Sequence, residues 1–164
     1  MARLSAGFLL YRRRTGRLEV FLVHPGGPFW AKKDEGAWSI PKGECAEGEE
    51  PMAAARREVA EETGVVVAGD LLLLGEVRQA SGKRVVAWAT EMDFDPGAVR
   101  SNTFSMEWPP KSGKLREFPE VDRGDWFPIA AAKTKLLAAQ VAFVDRLVAE
   151  LGQPSDRVEA ESDR

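Results

Sequence analysis

Three glutamates near the middle of the chain, Glu58, Glu61 and Glu62, are spaced so that they could act together. Residues three and four positions apart are neighbours on a helix surface, so a helix would gather these carboxylates into one patch. Like charges repel there, and Arg57 can offset part of the repulsion by pairing with Glu61 at i+4. A hard divalent cation such as Mg²⁺ also takes carboxylate oxygens while keeping waters for a phosphate-bearing substrate. A metal site and a solvated acidic helix face both remain open from this spacing alone.

The flanking residues predict the helix that such a site needs. Pro51 suits the first helical turn, because proline lacks only an N–H group that would be unpaired there. Gly64 suits the position just past a helix end, where a left-handed conformation is often required. We therefore expect a helix over residues 51–63. Its buried stripe is predicted to be Met52, Ala55 and Val59.

The acids are part of a longer pattern in residues 43–65. The chain matches G-x5-E-x7-R-E-U-x-E-E-x-G-U, where U is a bulky aliphatic residue, through Gly43, Glu49, Arg57, Glu58, Val59, Glu61, Glu62, Gly64 and Val65. This pattern resembles the Nudix box, and the chain is identified as a member of the Nudix hydrolase superfamily. The resemblance implies an α/β fold, an α/β/α sandwich around a mixed β-sheet. It also implies divalent-metal-dependent hydrolysis of a pyrophosphate bond in a nucleoside diphosphate linked to another group, with Mg²⁺ or Mn²⁺ as cofactor.

The resemblance also implies roles for individual residues. The implied metal ligands are Glu58, Glu61, Glu62 and the backbone carbonyl of Gly43. The same three acids are the implied catalytic residues, and Glu58 or Glu62 would orient or deprotonate the attacking water. Arg57 would brace the acids and Glu49 would hold the loop before the helix, both as supporting residues.

Further contacts are expected outside the box. Many members of the family add an acid from a later loop, and the candidates here are Glu107, Glu117 and Glu120. We expect Glu120 as a metal ligand, since it stands shortly before an aromatic pair and the last helix; an exposed loop acid is the alternative. Lys42, next to Gly43, is the expected substrate-binding residue for phosphate. Three aromatic residues could stack on a base or lie in the core: Trp30, Phe104 and Trp108.

Short apolar runs on both sides of the box predict a sheet. Residues 4–13 and 18–24 should form two strands joined by a turn, and residues 38–41 a further short strand. The runs at 65–77 and 83–94 suggest two or three more strands.

The C-terminal half is predicted to be less regular. Residues 95–119 show no clear period, so we expect an irregular excursion within the domain. The pattern is helical from residue 129 onward. Its apolar stripe is predicted to be Leu137, Val141, Val144, Val148 and Leu151. The composition favours a single domain over residues 1–152 and a disordered tail over 153–164.

Charge and cysteine content restrict partners and location. The chain of 164 residues has 23 Lys plus Arg and 26 Asp plus Glu, a formal net charge of -3 that offers no general attraction for nucleic acid or anionic membrane. We therefore expect a small-molecule nucleotide substrate, no nucleic acid and no membrane partner. The single cysteine excludes an internal disulfide, so we expect a cytoplasmic location. A homodimer stays open, since dimers are common in the family.

The substrate is not determined by these patterns. Diadenosine polyphosphates, ADP-ribose or nucleotide sugars, and oxidised nucleoside triphosphates are all candidates. Some subfamilies carry a Pro or Tyr downstream of the box, and the segment "RQASGKRVV" contains neither. A non-catalytic nucleotide-sensing or protein-binding Nudix domain is the alternative function. Box acids would be expected to erode in such a domain, and all of them are present here.

Overall fold

The structure is a computed structural model that describes residues 3–152. The predicted tail, residues 153–164, lies outside the described residues. The strands are β1 (Leu4–Arg14), β2 (Arg17–Pro25), β3 (Lys42–Glu44), β4 (Leu72–Arg78), β5 (Arg84–Glu91), β6 (Thr103–Glu107), β7 (Leu115–Pro119) and β8 (Val121–Pro128). The helices are α1 (Pro51–Thr63), α2 (Ile129–Lys135) and α3 (Val141–Leu151), with 3-10 turns at Pro96–Ala98 and Ala138–Gln140.

The main sheet is mixed, as expected. Its order is β4-β5-β1-β2-β8, and β1 runs parallel to β5 while the other pairs are antiparallel. The edge of β1 that faces β2 is shared between two partners. Residues 11–14 of β1 pair with β2, and residues 5–7 pair antiparallel with the short strand β3. This division brings the residues of β3 against the first half of β1.

Successive side chains of a strand point to opposite faces of the sheet, and each face carries a hydrophobic core. In β2, Val20 and Leu22 pack toward α2 and α3, whereas Phe21 and Val23 pack toward α1. Helix α1 contributes Ala54, Ala55 and Val59 to its core, and the opposite core holds residues of α2 and α3. The expected α/β/α sandwich around a mixed sheet is therefore confirmed.

The first hairpin and the box helix agree with the sequence. Thr15 and Gly16 both have positive φ, at 50° and 78°, which suits a two-residue turn between twisted strands. Helix α1 spans Pro51–Thr63 as predicted and ends at Gly64, which has φ 80° and donates its N–H to the carbonyl of Ala60.

The two strands β4 and β5 lie in the runs at 65–77 and 83–94, as expected. Two other local predictions are wrong. Residues 38–41 form only isolated bridges at Trp38 and Ser39, and the paired strand begins after Pro41, which has no N–H to donate. Residues 103–119 form a two-stranded sheet of β6 and β7 instead of an irregular excursion.

The C-terminal helix is also interrupted. Leu136 is extended and bridges to Trp38, so α2 and α3 are separate and Leu137 does not share the register of α3. The fully buried face of α3 consists of Phe143, Val144 and Leu147. The predicted stripe is therefore displaced, with Val141, Val148 and Leu151 partly buried at its margin. No helix within residues 3–152 is long and apolar enough to cross a membrane.

Candidate active site

Helix α1 and strand β3 contact each other through the acids. Ala54, Ala55 and Val59 face the sheet, which leaves Glu58 and Glu62 on the side that meets β3. The backbone N–H of Lys42 donates to Glu62 Oε1 at 3.1 Å. Gly43 lies so close to Glu58 that a Cβ at this position would overlap the carboxylate. Only glycine therefore allows β3 to approach α1 this closely.

Arg57 is the centre of the ion-pair network on the same helix. Its Nε and Nη2 donate to the two oxygens of Glu49, each at 2.9 Å, and its Nη2 also donates to the carbonyl of Glu44 at 3.2 Å. Its Nη1 donates to Glu58 Oε1 at 2.8 Å and to Glu61 at 3.2 Å. Glu49 in turn accepts the N–H of Ala46 at 2.8 Å, which ties the loop to the helix.

This network shifts the pKa values of its members in opposite directions. Hydrogen bonds from Arg57 and from the Ala46 backbone lower the pKa of Glu49 to about 2. Hydrogen bonds to Glu49 and Glu58 raise the pKa of Arg57 above its usual range. Both groups are therefore charged at every physiological pH. These contacts fit the supporting roles that the resemblance implies for Arg57 and Glu49.

A cavity of about 280 Å³ lies where α1, β3 and the start of β8 meet. Carboxylates from separate elements share it: Glu58 and Glu62 come from α1, and Glu120 comes from the junction of β7 and β8. The remaining lining residues are Ser5, Lys42, Gly43, Glu44, Lys83 and Asn102. The cavity is thus strongly polar and rich in acids.

Burial and mutual repulsion raise the pKa values of two acids of the cavity, Glu62 and Glu120. Burial raises the pKa of Glu62 to about 7, against the attraction of Lys42 and with help from Glu58 and Glu120. Glu120 stands at the exposed rim, yet partial burial of its carboxyl and the charge of Glu58 raise its pKa as well. Burial lowers the pKa of Lys42, while Glu62 opposes the shift. A cation bound here would relieve the repulsion between these carboxylates.

The donor set fits a hard divalent cation in chemistry and in charge. Carboxylate and carbonyl oxygens are the ligands that Mg²⁺ prefers, and the cavity brings together Glu58, Glu62, Glu120 and Gly43. Within residues 3–152, no group of three or more His, Cys, Asp or Glu side chains is already arranged to hold an ion. Glu58 is hydrogen-bonded to Arg57 and Glu62 to Lys42, so each carboxylate is held by a donor of this chain.

Three of the acids that the sequence suggests as candidates do not line the cavity: Glu61, Glu107 and Glu117. Glu61 is bound to Arg57 and does not line the cavity. Glu107 accepts the backbone N–H groups of Lys111 and Gly113, so it closes the turn between β6 and β7. Glu117 lies exposed on β7. Of the three candidate later acids, the cavity includes Glu120.

The aromatic candidates lie away from the acids. Trp30 contacts the Lys33 ammonium at 5.0 Å, Trp108 packs against Phe29 at 5.4 Å and Phe104 packs against Phe118 at 6.0 Å. Trp30 lies in the loop after β2, Phe104 lies on β6, and Trp108 follows β6, and none of the three lines the cavity. A role in base stacking stays a prediction.

Sequence reasoning misses four lining residues, Ser5, Glu44, Lys83 and Asn102. Ser5 and Lys83 come together through the parallel pairing of β1 with β5, which no local pattern reveals. Asn102 precedes β6, and its carbonyl accepts the N–H of Glu120 at 2.9 Å. The predicted Lys42 does lie in the cavity.

Comparison with known proteins agrees with this fold. The family model described as NUDIX domain matches residues 1–147. Two curated relatives, both RNA pyrophosphohydrolases from strains of Caulobacter vibrioides, are 36% identical over 94 residues, which is 54% of this chain and 48% of theirs. The chain therefore spans about half the length of the curated relatives it matches.

Solved structures resemble the chain over nearly its whole length. The NUDIX domain of Shewanella oneidensis NrtR, complexed with ADP ribose, is 20% identical with a TM-score of 0.64, covering 92% of this chain and 89% of that one. A C. elegans Ap4A hydrolase is 21% identical with a TM-score of 0.62, covering 92% and 98%. A MutT protein from Methanosarcina mazei is 18% identical with a TM-score of 0.61, covering 92% and 95%. At these identities the likeness concerns the fold.

Proposed function

The chain belongs to the Nudix family, and we propose that it is a divalent-metal-dependent pyrophosphohydrolase that cleaves a nucleoside diphosphate linked to another group. The observation that carries this proposal is the cavity in which the carboxylates Glu58, Glu62 and Glu120 converge from separate elements. Cleavage of a pyrophosphate requires neutralised phosphoryl oxygens and an aimed water. Carboxylates that converge on a small polar cavity are suited to both tasks.

The residues that would hold Mg²⁺ or Mn²⁺ are those implied by the box together with the later acid. Those that line the cavity are Glu58, Glu62, Glu120 and Gly43, which would offer its carbonyl. Glu61 pairs with Arg57 outside the cavity and belongs to the proposed set through the box alone. The metal, when bound, supplies Lewis-acid charge on the phosphoryl oxygens and lowers the pKa of a bound water.

The chain itself supplies a proton acceptor and positioning groups. Glu58 or Glu62, both in the cavity, would orient or deprotonate the attacking water. Arg57 and Glu49 orient the acids through the hydrogen bonds described above. Lys42 brings a positive charge to the same cavity, where it can meet a phosphate oxygen.

The substrate candidates come from the resemblance and from the relatives. Diadenosine polyphosphate, ADP-ribose or nucleotide sugar, and oxidised nucleoside triphosphate remain in the proposal. The Caulobacter relatives add RNA, so the expectation that nucleic acid is no partner stays a prediction. The single domain over residues 1–152, the cytoplasmic location and a homodimer are parts of the same proposal.

A non-catalytic nucleotide sensor would be built on the same fold. The intact box acids and the convergence of Glu120 upon them favour hydrolysis, because a sensor has no need of several converging carboxylates beside the phosphate.

The test is phosphate and pyrophosphate release from a nucleotide panel, with Mg²⁺ and with EDTA. The panel holds ADP-ribose, diadenosine polyphosphates, nucleotide sugars, normal and oxidised nucleoside triphosphates, and 5′-triphosphorylated RNA. Glu62→Gln should abolish metal-dependent release, and Glu117→Gln, on the exposed face of β7, is the matched control. Metal-dependent cleavage of one class identifies the substrate. Nucleotide binding without cleavage of any member would support the sensor.

A further inference from the structure

Ser5 presents a buried hydroxyl to the cavity that the proposed chemistry leaves unused. The residue is 1% exposed and lines the same cavity as the acids. Its Oγ has no hydrogen-bond partner among residues 3–152. A buried hydroxyl without a partner lowers the stability of a fold, and most buried polar groups are therefore paired. Such a group inside a polar cavity is explained if a ligand supplies the missing partner.

The strand register places Ser5 close to Lys42. Ser5 lies directly opposite Glu44 on β3 and beside Val85 on β5, and Gly7, two residues along β1, lies opposite Lys42. A Cβ on Gly7 would overlap the Lys42 backbone and Cβ, so the glycine lets Lys42 sit directly over β1. Ser5 and Lys42 are therefore diagonal neighbours on adjacent strands.

The acid next to Ser5 is already neutralised. Glu44 accepts a hydrogen bond from Arg3 at 2.8 Å and lies 3.3 Å from the Lys83 ammonium. Beside Ser5 the cavity therefore offers a hydroxyl donor and the ammonium group of Lys42, whose charge also attracts Glu62 of α1. An anion with several acceptor oxygens matches these two donors, and a cation matches the carboxylates of α1 and Glu120.

We propose that the Ser5 hydroxyl and the Lys42 ammonium form a phosphate subsite, in which Ser5 donates a hydrogen bond to a phosphoryl oxygen of the bound pyrophosphate group. The inference deepens the proposed function and rests on it for the identity of the substrate. The volume of about 280 Å³ is at the small end for a whole ligand, so the cavity suits the phosphates rather than the nucleoside.

The test uses Ser5→Ala and methylenediphosphonate, a pyrophosphate analogue whose bridging oxygen is replaced by carbon and which cannot be hydrolysed. Binding is measured by calorimetry with Mg²⁺ present. We expect Ser5→Ala to bind the probe about ten-fold more weakly, the loss of one hydrogen bond to a charged acceptor. Its melting temperature without ligand should be equal to or above that of the wild type, because the substitution removes an unpaired buried hydroxyl.

Ser39→Ala is the matched control. The Ser39 hydroxyl donates to the carbonyl of Ile40 at 2.7 Å, accepts from Gln140 at 3.1 Å and does not line the cavity. This variant should melt at a lower temperature and bind the probe as the wild type does. We thus expect Ser5→Ala to weaken probe binding without loss of stability, and Ser39→Ala to lower stability without loss of probe binding.

The outcomes separate this inference from the proposed function. Unchanged probe binding by Ser5→Ala, or no binding by the wild type, overturns the subsite, and the hydroxyl then bonds only to water. If nucleotides are cleaved while Ser5→Ala binds normally, the hydrolase stands and the subsite fails. If no nucleotide is cleaved but Ser5→Ala weakens probe binding, the subsite stands and the hydrolase fails.

Discussion

Replacing Glu62 with Gln should stabilise the metal-free protein while it removes metal-dependent activity. Burial raises the pKa of Glu62 from 4.5 to about 7, so the ionised carboxylate is destabilising in the fold. Glutamine resembles the protonated acid, and its amide oxygen can still accept the N–H of Lys42. The pKa difference corresponds to about 3 kcal/mol of unfolding free energy above pH 7.

The sign of the effect sets its pH dependence. Between pH values of about 4.5 and 7 the folded protein holds a proton that the unfolded chain has released, so wild-type stability falls as pH rises through this window. The advantage of Glu62→Gln should therefore be about 3 kcal/mol at about pH 8 and under about 1 kcal/mol at about pH 5.

Urea unfolding in EDTA at both pH values measures this difference directly. Addition of Mg²⁺ should then stabilise the wild type and leave Glu62→Gln almost unchanged, because only a protein that binds the ion gains from mass action. A variant less stable than the wild type at pH 8 in EDTA would refute the reasoning, since Glu62 would then be a stabilising ion.

Three further predictions concern the residues around Glu58. Arg57→Lys should weaken Mg²⁺ activation about 10- to 100-fold, since lysine cannot reproduce the fork that holds Glu49 and Glu58; a metal titration of turnover checks this. Gly43→Ala should lower turnover more than about ten-fold by displacing the Glu58 carboxylate, with far-UV circular dichroism showing an intact fold. Glu49→Gln should lose stability that is present above about pH 4.5 and disappears as pH falls toward about 2, so acid-unfolding curves of variant and wild type should converge at low pH.

An element can be predicted from the sequence when residues at its own ends or along its own length determine it. Both ends of α1 are set by local residues, Pro51 and Gly64, so the sequence pattern predicts its bounds. The strands β6 and β7 pair only with each other and are exposed over most of their length. β6 alternates polar and apolar residues in Thr-Phe-Ser-Met-Glu, but this run is only five residues long and β7 does not repeat it. The segment as a whole therefore predicts an irregular excursion.

In the candidate site, too, the sequence predicts contacts between residues close in the chain but not contacts between distant parts of the chain. Spacing on one helix predicts that Glu58 and Glu62 lie together, but it cannot show that Arg57 holds Glu61 outside the cavity. Ser5 resembles any polar residue in a strand. Its significance depends on the neighbours that β3 and β5 bring to β1, and these are contacts between distant parts of the chain.

The β6–β7 hairpin can change in length without moving the acids, because backbone hydrogen bonds hold the base from which it starts. The backbone of Glu120 is hydrogen-bonded to Asn102 on one side and to Gly26 on the other, each at 2.9 Å, and Asn102 is itself bonded to the carbonyl of Glu61 at 2.8 Å. The hairpin begins and ends at this anchored base. Residues 103–119 can therefore lengthen, shorten or exchange their side chains while Glu120 keeps its place, so the substrate of the proposed hydrolase can change without rebuilding the cavity that holds the acids.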